Sequence, residues 1–194
     1  MIHITDIINH KLLATGQLTQ YGGYPDDGFY RMGAAKEYDI LDLGVYSGHT
    51  HIILNAKDDD RSNNCVYDRR TKLMWSRFMA DHVGPTNNGK LPWTTNVNGE
   101  GIFAYCAVAN AALLAGYLDW RVPNLFEFFS LNDHEAPTPL PNAAAFPVWP
   151  SNYVWSSTTV PNIITSALTE NFANGSVECV DKVASYANIL VRGG

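Results

Sequence analysis

Apolar positions recur along this chain at two spacings, and the change of period separates its predicted elements. In GIFAYCAVANAALLA, 101–115, Phe103, Cys106 or Ala107, Asn110 and Leu114 recur every three or four residues, which predicts a helix. Gly116 stands where a C-terminal cap would end it. VPNLFEFFSLND, 122–133, predicts a second helix, with Pro123 in its first turn and Leu125, Phe128, Phe129 and Leu131 on its buried side. Elsewhere the apolar runs are short and strand-like. CVYDRRTKLMW, 65–75, reads as strand, turn over 68–72, strand. YDILDLGVYSGHTHIILN, 38–55, reads as two strands punctuated by Gly44 and Ser47-Gly48. YVWSST, SALTENFA, SVECVDK and YANILVRGG follow as a closing series, and Asn174-Gly175 is a strong hairpin signal.

Loops separate these runs. Residues 76–99 carry turn residues, and 134–151 hold Pro137, Pro139, Pro141, Pro147 and Pro150, a density that leaves no regular element. Near the start, a short helix or strand over 4–13 precedes GQLTQYGGYPDDGFYRMG, an extended stretch with Tyr21, Tyr24, Phe29 and Tyr30 as anchors. The expected architecture is α+β: an N-terminal arm over 1–60, serving attachment or oligomerisation, followed by one domain over 61–194 with two helices, small antiparallel sheets and much loop.

Composition narrows the function classes. A hydrophobic fraction of 46% excludes wholesale disorder, while only 16% of residues are charged. The surface is therefore expected to be neutral and polar, rich in Asn, Thr, Ser, Gly and Tyr. Net charge is −6, with 13 Lys and Arg and no basic cluster, so a nucleic-acid partner is not expected. The same balance weighs against sulfated polysaccharides. There is no apolar run of 18 residues, and His3, Asp6, Asn9 and His10 interrupt the first segment, so neither membrane insertion nor a secretion signal is expected.

The order of motifs resembles the C-terminal domain of the legionella collagen-like adhesins. CVYDRRTKLMW resembles that family's opening hairpin. YCAVANAALLAGYLDWRVPNLFEFFSL resembles its helix, its Gly-Tyr-x-Asp-Trp-Arg-x-Pro-Asn connector and its second helix; YVWSSTT, NFANGSV and LVRGG resemble its closing strands. The resemblance covers about 61–194 and implies a C-type-lectin-like fold. Arg121-Val122-Pro123 with Arg192-Gly193-Gly194 also looks like the related formylglycine-generating enzyme fold. One departure is Lys72, where the family usually has Gly; a left-handed backbone there costs Lys roughly 1 kcal/mol. The stretch GQLTQY…DDGFYRMG looks like the leader of phage-encoded members.

Candidate residues divide into scaffold and surface. Trp75, Trp120 and Trp155 are expected in the core with their indole N–H groups paired. Arg121 or Arg192 is expected to meet Glu127 or Asp119, because charges inside apolar stretches need partners. Cys65, Cys106 and Cys179 lack metal-ligand spacing and read as buried thiols, with at most one disulfide. Asp58, Asp59, Asp60, Asn63 and Asn64 offer oxygens to Ca²⁺ but lack the 12-residue pattern ending in Glu, so they read as a solvated turn. His49 and His51 share a strand face without a third ligand. No metal or other cofactor is expected.

Catalytic motifs are lacking as well. Gly-x-Ser-x-Gly, His-Glu-x-x-His and a phosphate loop do not occur. The formylglycine-generating relatives depend on a late cysteine pair, and only Cys179 lies in that part of the chain. The expectation is therefore a binding protein with no catalytic residues. Its contacts are assigned to a solvent-facing surface near the C-terminus, with Asn152, Tyr153, Asn162, Asn171, Asn174, Tyr186 and Asn188 as ligand-binding residues. In the resemblance, some phage members diversify this stretch by mutating adenines, which Asn and Tyr codons fit; ordinary strand and turn usage is the preferred reading.

The expected protein is thus a phage tail-fibre or virion-surface component. It would bind a host surface glycan or protein through 61–194 and other virion or tail subunits through 1–60. An oligomer is expected, since lectin-like relatives often form trimers. Its location would be the virion surface, or outside the cell as part of a larger particle. A glycosaminoglycan-binding bacterial adhesin and a ligand-free decoration protein are the alternatives, followed by an enzyme of the formylglycine-generating type.

Overall fold

Asp68 organises the first hairpin. Its Oδ1 accepts the backbone N–H of Arg70 (2.8 Å) and Thr71 (3.3 Å), and its Oδ2 accepts the Thr71 hydroxyl (2.8 Å). These bonds close the turn between β2 (Cys65–Asp68) and β3 (Leu73–Ser76). Lys72 sits there at φ 62°, the left-handed backbone expected of that position. The computed structural model describes residues 20, 37–41, 65–76, 90–97, 99–135, 145–146 and 152–193. Most of the predicted arm, the Asp58–Asn64 oxygens and the His49/His51 pair lie outside these residues.

The described chain is a mixed α+β domain with two helices and two small sheets. The four-stranded sheet runs β1 (Tyr38–Leu41), β2, β3, β9 (Val191–Gly193), all antiparallel. The five-stranded sheet runs β4 (Lys90–Pro92), β8 (Ser185–Ala187), β5 (Tyr153–Val160), β6 (Ile163–Asn171), β7 (Ser176–Asp181). Only β5 and β8 are parallel, through Val154 opposite Ala187. Strand β4 lies in a stretch expected to be loop; it is three residues long and ends in Pro92, too short to show alternation.

Alternation of side chains puts an apolar cluster on each face of the five-stranded sheet. One cluster holds Trp155, Ala167, Leu91 and the buried residues of α1 (Ile102–Ala111). The other holds Val154, Phe172 and Ala187 with Trp75, Val191 and Phe128 of α2 (Leu125–Phe129). Phe128 lies 5.9 Å from both the Trp75 and the Phe172 ring centroids.

Both helices are shorter than predicted, for local reasons. Helix α1 stops at Ala111, and Leu113 (φ 56°) and Ala115 (φ 52°) turn left-handed before Gly116 (φ 83°). Asn110 anchors that reversal: its amide donates to the Trp120 carbonyl and accepts from the Trp120 N–H, both at 2.8 Å. The buried face of α1 is Ile102, Tyr105, Cys106 and Ala109, not the face containing Phe103, which is 40% exposed. An alanine-rich helix without charged residues offers no polar stripe against which to orient it. Helix α2 begins at a capping box: Asn124 accepts the Glu127 N–H (3.0 Å) and Glu127 accepts the Asn124 N–H (2.8 Å). Pro123 therefore lies before the cap, and Phe129, expected inside, is 41% exposed.

Candidate functional site

Hairpin registers gather one end of the five-stranded sheet. Tyr153 stands opposite Asn171 and Asn171 opposite Ser176; two residues along, Trp155 faces Thr169 and Thr169 faces Glu178. Cross-strand partners share a face, so these six side chains project from the same side. Tyr186 of β8 joins them. Its ring centroid is 5.1 Å from that of Tyr153 and 5.3 Å from that of Trp155, edge to face in both cases. The resulting ladder runs from fully buried Trp155, whose Nε1 donates to the Leu91 carbonyl (2.9 Å), to the half-buried Tyr186 and Tyr153.

A polar network fixes the outer ring. The Tyr153 hydroxyl donates to Glu178 Oε1 (2.9 Å), and the Ser176 hydroxyl donates to the same oxygen (3.3 Å). The Glu178 carboxylate, by holding the phenolic proton, keeps Tyr153 above the ordinary tyrosine pKa; loss of hydration adds to this, and a hydrogen bond with Asn171 opposes it.

The asparagines around this cluster satisfy backbone N–H groups. Asn152 Oδ1 accepts the Tyr153 N–H (2.8 Å), Asn171 Oδ1 the Ala173 N–H (2.9 Å) and Asn174 Oδ1 the Ser176 N–H (2.9 Å). The Asn171 carbonyl also accepts Gly175 N–H (2.7 Å), where Gly175 takes φ 74°.

Of the seven assigned surface residues, Asn152, Tyr153, Asn171, Asn174 and Tyr186 come together at this end. Asn162 lies at the opposite end, exposed in the turn between β5 and β6. Two of the seven are not solvent-facing: Asn171 is buried in its turn, and Asn188 is fully buried just beyond β8 with neither amide atom hydrogen-bonded. Tight return of the chain toward β9 draws Asn188 inward, next to Ile189, Leu190 and Val191 of the core. Glu178 was missed. Its signal was available: the Asn174-Gly175 turn sets the register, which carries Glu178 to the Trp155 and Tyr153 side.

The Trp and Arg positions sit beneath and beside this surface. Trp120 is buried, with Nε1 donating to the Leu114 carbonyl (2.7 Å). Trp75 is also buried, but its Nε1 has no partner, contrary to the paired indole expected. Arg121 grips Glu127 through two hydrogen bonds and donates to the Gly193 carbonyl (3.1 Å). Arg192 binds Asp119 (2.7 and 3.1 Å) and lies 3.6 Å from the Tyr117 ring centroid. The Arg192 hydrogen bond holds the Asp119 carboxyl below its usual pKa. Arg121 and Asp119 remain substantially solvated, so each pair contributes on the order of 1 kcal/mol.

The three cysteines are free. Cys65 and Cys106 are buried, and burial pushes the Cys65 thiol up to about 12. Cys179 is exposed, against expectation, because it alternates outward between Glu178 and Val180 on β7. Among the described residues, no group of three or more His, Cys, Asp or Glu is placed to hold a metal ion. No helix among them is long and apolar enough to cross a membrane.

Two helices packed on small sheets, with an aromatic and polar sheet end, make this a mixed α+β domain. Residues 64–192 match the model of the Lcl C-terminal domain, and the chain belongs to that family. No curated protein matches the chain.

Proposed function

We propose that this chain is a non-catalytic receptor-binding protein, a phage tail-fibre or virion-surface component that attaches to a host surface ligand through the sheet end bearing Tyr153, Tyr186 and Glu178. The observation that carries the reading is the ordered aromatic pair on a rigid sheet, with its phenol held by Glu178. Rigid aromatic area flanked by adaptable polar groups binds at low entropic cost. In this reading the domain is lectin-like, residues 1–60 join the chain to other virion subunits, and the protein works as an oligomer outside the cell. Fluorescently labelled full-length protein should bind host cells saturably, and Tyr186→Ala should abolish most of that binding. Equal binding by the variant, or none by the parent, refutes the assignment.

Family membership favours a second reading, a bacterial adhesin for glycosaminoglycans. The net charge of −6 opposes it. Retention on a heparin column that falls with added salt would favour the adhesin over the virion protein.

A further inference from the structure

The chemistry left open at Glu178 deepens the proposed function, on which this inference rests. Among the described residues, Glu37, Asp39, Asp119 and Glu127 each face an arginine. Glu178 faces none. Its Oε1 is taken by two neutral hydroxyls, and its Oε2 accepts no hydrogen bond among the described residues.

The neighbouring asparagine oxygens are already used on backbone N–H groups, which leaves Glu178 Oε2 as the charged acceptor at this end of the sheet. Beside it stand two half-buried phenol rings. Elsewhere the fold itself places a cation on an aromatic face: Lys182 lies 4.0 Å from the Trp93 centroid and Arg192 3.6 Å from the Tyr117 centroid. At Tyr153 and Tyr186 the ring and the carboxylate are both present, and among the described residues no cation is placed on them.

We propose that this cluster receives a cationic side chain, an arginine or a lysine, displayed by the protein to which the domain docks. The guanidinium or ammonium donates to Glu178 Oε2 and rests against the tyrosine rings, where ring quadrupole and carboxylate attract it together. Tyr153, pinned by Glu178 and Asn171, loses little freedom on binding. The acidic balance of the whole chain favours approach of such a partner.

The test uses the full chain and a small probe, Nα-acetyl-arginine methylamide, followed through the NMR signals of the tyrosine rings. A saturable shift is expected at Tyr153 and Tyr186. The uncharged isostere Nα-acetyl-citrulline methylamide should bind about tenfold more weakly, as the loss of one charge-assisted bond implies. Glu178→Gln, which keeps an oxygen for the Tyr153 hydroxyl, should weaken the arginine probe by a similar factor. The inference is overturned by no saturable shift, by equal response to citrulline, or by an unchanged response in the Gln variant. It is also overturned if methyl glycosides move the same signals and the arginine probe does not, which marks a saccharide site. The citrulline comparison needs no variant, so it stands whatever the substitution does to folding. Host-cell binding measured in parallel separates the two ideas: an arginine response without cell binding removes the receptor role and leaves the site.

Discussion

Glu170→Gln should abolish a pH dependence of stability that one buried carboxyl creates. Glu170 lies on β6 with its side chain fully buried. Asn132 Nδ2 donates to Oε1 at 2.8 Å, while Oε2 has no partner. Burial raises its pKa from 4.5 to about 7, and the Asn132 bond only partly offsets this. Because the folded-state value is raised, the folded chain holds a proton over the window from 4.5 to about 7 that the unfolded chain has released. Stability from this group is therefore greatest below pH 4.5 and falls as pH rises through about 7, then levels off. At 1.36 kcal/mol per unit, the total is on the order of 3 kcal/mol. Gln keeps the shape and an acceptor for Asn132 but cannot ionise. Urea unfolding of both proteins across this window isolates the effect, since all other titrating groups cancel in the difference. The variant should gain roughly 3 kcal/mol on the parent between low pH and neutrality, whatever their difference at low pH. A difference that does not change with pH refutes the reasoning.

Three further outcomes are open to simple assays. Lys72→Gly should raise the stability read from urea or thermal unfolding by up to about 1 kcal/mol, because φ 62° strains a residue with a Cβ. Asn110→Ala should cost about 1–3 kcal/mol, since it strips partners from the Trp120 N–H and carbonyl beneath a buried indole. A thiol-reactive disulfide reagent should label Cys179 alone in the folded protein, with Cys65 and Cys106 reacting only on unfolding, as counted by intact mass.

How much was legible depended on whether a residue's partner lay nearby in sequence. The hairpin of β2 and β3 was readable because Asp68, Thr71 and Lys72 make their own turn. The closing strands were readable for the same reason, through Asn174-Gly175. The helices existed as expected, but their ends were set from outside the helical pattern: α1 yields to the Asn110–Trp120 clamp, and α2 waits for the Asn124–Glu127 box. Strand β4 exists only because β8, almost a hundred residues later, pairs with it. Asn188 looked like a surface residue by type, and only the tertiary path from β8 to β9 buries it.

The candidate site shows the same division at the level of chemistry. Asn and Tyr drew notice because their side chains suit recognition, yet Asn171 and Asn174 spend their oxygens closing a turn and Asn152 spends its on the next backbone N–H. The Asn171–Gly175 turn sets the register of β6 and β7, which places Glu178 beside the Tyr153 hydroxyl. Glu178 keeps a carboxylate oxygen unspent, and only the register set by the Asn174-Gly175 turn marks it. A carboxylate on a strand is ordinarily a solvated face; register converts this one into the polar half of an aromatic cluster. Mutation of the asparagines is therefore expected to act through turn stability, whereas mutation of Glu178 is expected to act on binding.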